Sequence, residues 1–94
     1  MPEDTFSPQA IVQKLTTKAV TANFLHQYAQ YDDYYTIRYS PKKKQFLVHI
    51  EVSVWDGRGH ETYDEKLDET TLLERLEKIK SDGTIRTFYY ASKK

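Results

Sequence analysis

The 94-residue chain contains no cysteine. That excludes a disulfide framework, a thiolate nucleophile and a cysteine-ligated metal. Glycine and proline are scarce, three of each, which leaves no room for a glycine-rich phosphate cradle or a proline-rich linker. Gly57 and Gly59 sit in one short polar turn, too short to read as a phosphate loop. No stretch approaches the ~18 consecutive apolar residues of a membrane span. Met1-Pro2-Glu3-Asp4 lacks the basic-then-apolar layout of a secretory leader. These absences predict a cytoplasmic protein that does not enter a membrane. Net charge is also absent, because 14 basic residues balance 14 acidic ones. A dedicated nucleic-acid binder is usually basic overall, since its affinity comes largely from phosphate neutralisation. A chain of this length forms one domain with a thin core, which excludes a deep catalytic cleft between two domains. The expected domain spans 1–94, with frayed ends at 1–7 and 92–94.

Charge is unevenly spread. Residues 38–55 carry Arg38, Lys42, Lys43 and Lys44 against Glu51, whereas 56–82 is net acidic and 83–94 is basic again. Such a dipolar chain can orient a partner electrostatically.

Hydrophobic period then sets the elements. Ser7-Pro8 reads as a helix start, with serine at N-cap and proline at the first helical position. Ile11, Leu15, Ala19, Ala22, Leu25 and Ala29 recur at helical spacing, widened by Val12, Phe24 and Tyr28, and predict a helix from about Pro8 to Gln30. The β-branched Thr16-Thr17 and Val20-Thr21 lower its intrinsic helicity. Asp32-Asp33 breaks the helix. Tyr34–Ser40 is a strand by propensity, with Tyr35, Ile37 and Tyr39 facing the core. Lys42–Lys44 forms an exposed turn. In 45–56 the residues Phe46, Val48, Ile50, Val52 and Val54 alternate strictly with Gln45, Leu47, His49, Glu51, Ser53 and Trp55, the pattern of a strand with one buried face and one facing elsewhere. Asp56-Gly57-Arg58-Gly59 supplies a hairpin turn into a third strand from His60. Asp68 caps a second helix with the stripe Leu72, Leu73, Leu76 and Ile79, and Asp82-Gly83 ends it. Thr84–Ala91 is a fourth strand. The expected fold is α+β, in the order α-β-β-β-α-β, with a mostly antiparallel four-stranded sheet and two helices packed on one face. This order resembles that of double-stranded-RNA-binding domains in topology alone. The second helix opens on Asp68-Glu69, which would repel phosphate, and no residue is carried over.

Catalytic chemistry finds little support. His26, His49 and His60 fall in different elements and form no helical metal pair. Asp32-Asp33, Asp64-Glu65 and Asp68-Glu69 lie beside turns and helix starts, where capping and solubility explain them. No catalytic residue, metal, cofactor or small-molecule substrate is expected.

Aromatics are the anomaly. They make up 14% of the chain, and eight of them are tyrosines. If alternate strand positions share a face, then Tyr34, Arg38, His49, Trp55, Arg86, Phe88 and Tyr90 form one outer sheet surface. Tyr, Trp and Arg dominate interface hot spots. The sequence therefore predicts a small non-enzymatic interaction domain (an adaptor, inhibitor or assembly factor) that binds a protein partner or a second copy of itself. Lys42, Lys43 and Lys44 would add electrostatic contact. The alternative is RNA or single-stranded DNA stacking on the same aromatics.

Overall fold

A computed structural model describes residues 6–54 and 59–92. Two helices and five strands follow in the order α1 (Pro8–Thr17), β1 (Val20–Tyr28), β2 (Tyr31–Ser40), β3 (Gln45–Val54), β4 (His60–Leu67), α2 (Glu69–Ser81) and β5 (Thr84–Ser92). The fold is α+β. All strand pairs are antiparallel, in the spatial order β4-β3-β2-β1-β5. The expected four strands become five because the long first helix does not form.

Helix α1 starts as its sequence demands. The Ser7 side chain accepts a hydrogen bond from the Ala10 amide, Pro8 opens the helix, and Ile11, Val12 and Leu15 are buried. The helix stops at Thr17. There the Thr16 hydroxyl bonds back to the Val12 carbonyl and the Thr17 hydroxyl to the Gln13 carbonyl, a competition with the backbone ladder that weakens helices. The β-branched Val20-Thr21 then begins a strand, and burial switches to period two at Ala22, Phe24 and His26. Ala19 and Ala29 are exposed, and Leu25 points away from the helices. A tight turn through Ala29 (φ 51°) pairs Tyr28 with Tyr31. Asp32 and Asp33 lie inside β2 and break no helix.

Strand β3 follows its alternation, with Phe46, Val48 and Ile50 buried and Val52 half-buried. The hairpin residues 56–58 lie outside the described residues. Strand β4 extends to Leu67, and β4 and β5 occupy opposite edges of the sheet. Helix α2, capped by the Asp68 carboxylate on the Thr71 amide at 2.8 Å, must therefore cross the sheet's inner face. It buries Leu72, Leu76 and Ile79 there. Gly83 (φ +80°) makes the reversal into β5, and a Cβ on it would run into the backbone carbonyl of Gln27.

One buried cluster joins both helices to the sheet. Phe6, expected to be frayed, belongs to it and packs edge-on against Phe24 and Phe88 at 4.9 and 5.5 Å.

Candidate functional site

The helices cover one face of the sheet and leave the other open. Cross-strand register sets what that open face presents. One row across β2, β3 and β4 is Arg38, Leu47 and Lys66. The next, starting on β1, is Asn23, Thr36, His49 and Asp64, and the third is Leu25, Tyr34, Glu51 and Thr62. Strand β5 adds Arg86 beside Leu25 and Tyr89 beside Asn23. Tyr34 and Tyr89 are about half exposed, at 50% and 53%.

Four of the expected surface residues, Tyr34, Arg38, His49 and Arg86, therefore share the open face. Phe88 and Tyr90 do not. A register shift between Asn23 and Leu25 marks a β-bulge in the β1–β5 pair, with Thr87 held at φ 51°. One extra residue turns every later side chain to the opposite face. Phe88 and Tyr90 thus pack on the core, Tyr90 under the ammonium of Lys14 at 4.9 Å, and Tyr89 takes the outward place. Trp55 lies outside the described residues. Lys42, Lys43 and Lys44 are exposed on the β2–β3 turn, at the Arg38 end of the sheet.

Two hollows mark the open face. One of about 380 Å³ is lined by Thr36, Arg38, Leu47, His49, Asp64 and Lys66, among others. Its floor is Leu47, with a cation on either side. Arg38 and Lys66 have no carboxylate partner among the described residues. Arg86 is engaged: its Nε donates to Gln27 at 2.6 Å, and Gln27 donates in turn to Asp32 at 3.1 Å. The second hollow, about 210 Å³, lies where Tyr34 and Tyr89 meet Asn23 and Thr36.

His49 bridges two carboxylates, Nδ1 to Asp64 at 2.8 Å and Nε2 to Glu51 at 3.2 Å. Both partners only accept, so the arrangement favours the doubly protonated ring. Its pKa is raised, first by the Asp64 hydrogen bond and then by that of Glu51. Comparison with known protein families, curated proteins and solved structures finds no match.

The covered face holds a feature that the sequence reading missed. His26 and Asp33 face each other across β1 and β2 and are 3% and 7% exposed. They line a cavity of about 140 Å³ with Tyr28, Tyr35, Arg75, Lys78, Ile79 and Asp82. His26 Nε2 donates to the backbone carbonyl of Asp82. Burial raises the Asp33 carboxyl pKa, partly offset by the nearby His26. Burial likewise pushes the Tyr35 phenol up to about 12. This pair could be found only by reading 20–28 as a strand, because the β1 pairing is what puts His26 beside Asp33. Among the described residues no group of three or more His, Asp or Glu side chains could hold a metal ion.

Proposed function

We propose that this chain is a small non-enzymatic interaction domain that binds a protein partner through its open sheet face. The observation that carries this reading is the row Arg38–Leu47–Lys66, an apolar floor between two cations without carboxylate partners. A complementary partner presents an apolar side chain flanked by carboxylates. The exposed Lys42–Lys44 turn at the same end of the sheet would steer such a partner and raise its association rate. Tyr34 and Tyr89 extend the surface with large area at low entropic cost. Its inward-turned Phe88 and Tyr90 leave fewer stacking platforms for bases, and net charge is zero, so nucleic acid is the weaker reading. Location in the cytoplasm belongs to this proposal, on the strength of the cysteine-free sequence. Among the described residues no helix is long and apolar enough to cross a membrane.

The test is a titration of isotope-labelled protein with a short peptide alternating Asp or Glu with Phe or Leu. Oligodeoxythymidine serves as the competing probe. Shifts confined to Arg38, Leu47, His49 and Lys66, lost in Arg38→Glu/Lys66→Glu, support the reading. Binding of the oligonucleotide alone, with a steep salt dependence, would overturn it. So would a sedimentation profile showing that a second copy already covers the face.

A further inference from the structure

The open face is striped by charge. The register carries the row Arg38–Leu47–Lys66 on to Thr21 of β1 and Ala91 of β5, so that it crosses all five strands. It holds two exposed cations, one half-buried leucine and two small side chains. Two residues along β4 Asp64 replaces Lys66, and four residues along β3 Glu51 replaces Leu47. Both carboxylates are held by His49. An acidic group is therefore drawn to the first row and repelled by the two beyond it. Tyr89, two residues from Ala91 on β5 and half exposed, walls the small end of the row.

The spacing along this row selects the shape of an occupant. Neighbouring strands lie about 4.8 Å apart, so Arg38 and Lys66 are about 10 Å apart across the row, with Leu47 midway. An extended segment repeats its side chains on one face every ~6.8 Å. Its same-face positions fall at about 7 and 14 Å and miss the second cation. An α-helix rises about 1.5 Å per residue, so side chains seven apart return to one face at about 10.5 Å, with the fourth position between them. The covered face already takes a helix in this direction, since α2 leads from the β4 edge to the β5 edge.

We propose that the partner docks as an amphipathic α-helix lying across the strands, with Asp or Glu at two positions seven apart and one large apolar residue between them. The two carboxylates pair with Arg38 and Lys66. The apolar side chain fills the hollow of about 380 Å³ over Leu47. Beyond Arg38 the helix passes over Thr21 and Ala91, whose small side chains leave room for it. About 13 residues of helix span five strands. Docking of this kind depends on the partner surface proposed above, and it gives that partner a shape and a spacing.

Two capped Ala/Gln helices of one composition are the probes. In the first, Glu residues seven apart flank a Leu. In the second they are five apart, on different sides of the helix. The alternating acidic and apolar peptide of the preceding test is the extended reference. In low salt the first helix is expected to shift the Arg38, Leu47 and Lys66 signals saturably and to gain helicity on binding. It should bind at least about fivefold tighter than the second helix and tighter than the extended reference. Lys66→Glu alters an exposed side chain and keeps the fold, and it should weaken the first helix about tenfold. Exchanging one of the two Glu residues for Lys should restore binding to that variant, and exchanging the other should not. Equal binding of the two helices, tighter binding of the extended reference, or no rescue by either exchange overturns the helix and leaves the partner surface standing. Failure of all three peptides to bind overturns both.

Discussion

The two faces of the sheet each hold a histidine directly opposite an aspartate on the neighbouring strand, His26 with Asp33 and His49 with Asp64. The open pair bonds at 2.8 Å, with Glu51 completing the clamp. In the covered pair the ring turns instead to the Asp82 carbonyl, and the aspartate stays apart. The same two side chains at the same cross-strand spacing thus do different things. On the open face water shares the charge, so imidazolium between carboxylates is cheap and weakly coupled to folding. Under α2 the low dielectric makes each unpaired polar atom expensive. Local pairing rules place the residues, but burial decides their chemistry.

The strongest contrast between the faces should appear on truncation. Phe46→Ala removes a side chain 1% exposed and should cost about 3–5 kcal/mol in urea denaturation. Tyr34→Ala, half exposed on the other face, should stay within about 0.5 kcal/mol. Comparable losses from the two would mean that something covers the open face in the folded chain.

Gly83→Ala attacks the joint that presents the Asp82 carbonyl to His26. The position combines φ +80° with Tyr28 Cβ 2.7 Å from the new methyl group. Strain of this kind costs on the order of 1–3 kcal/mol. The His26 ring signals should move in the same variant, because its acceptor shifts. A stable Gly83→Ala with unmoved His26 signals would show that the turn relaxes freely.

These expectations also mark what was legible in the sequence. Strand β3 was read correctly because Phe46, Val48 and Ile50 alternate over a run that no helical period fits. Helix α2 was readable from its Asp68 cap, its leucine stripe and Gly83. In the region 18–30 Ala19, Ala22, Leu25 and Ala29 continue the helical spacing of Ile11 and Leu15, and small alanines satisfy either period. The deciding signal was the β-branched Thr16, Thr17, Val20 and Thr21, whose cost to a helix outweighed the stripe. The Thr87 bulge left no trace, since a β-branched residue is a poor choice for positive φ. Its consequence was the reversal of Phe88 and Tyr90 on the expected surface. The His26–Asp33 pair followed from the same misreading, because a buried cross-strand pair cannot be foreseen when one strand is taken for a helix.

Asp33 carries the comparison into pH. Its carboxyl pKa is raised in the folded chain, so the native state holds a proton that the unfolded state releases. Stability from this group is fullest below the ordinary carboxylate range and falls as pH climbs from there through the raised value. Asp33→Asn should remove that slope. At neutral pH the variant should match or exceed the parent by about 1 kcal/mol, with the difference shrinking in acid. Denaturation across the acidic range checks it, and a variant clearly weaker at neutral pH would mean that the Asp33 carboxylate is satisfied in solution.

His49 should give the smallest effect and the most direct contrast. Its pKa is raised in the folded chain by Asp64 and Glu51, so its contribution is complete below about 6.5, the unperturbed histidine value. It is then lost as pH rises through the folded value. The side chains are 41% exposed for His49 and 78% for Asp64, and solvent and salt screen such a pair. Asp64→Asn should therefore cost less than about 0.5 kcal/mol at pH 6 and almost nothing at pH 9. It should also lower the pKa of His49 measured by ring-proton titration, leaving Glu51 as the remaining clamp. The His26 ring signals, on the far side of the sheet, should stay where they are. If Asp64→Asn moved the His26 signals as well, the two histidines would be coupled through the sheet, and the independence of its faces would fail.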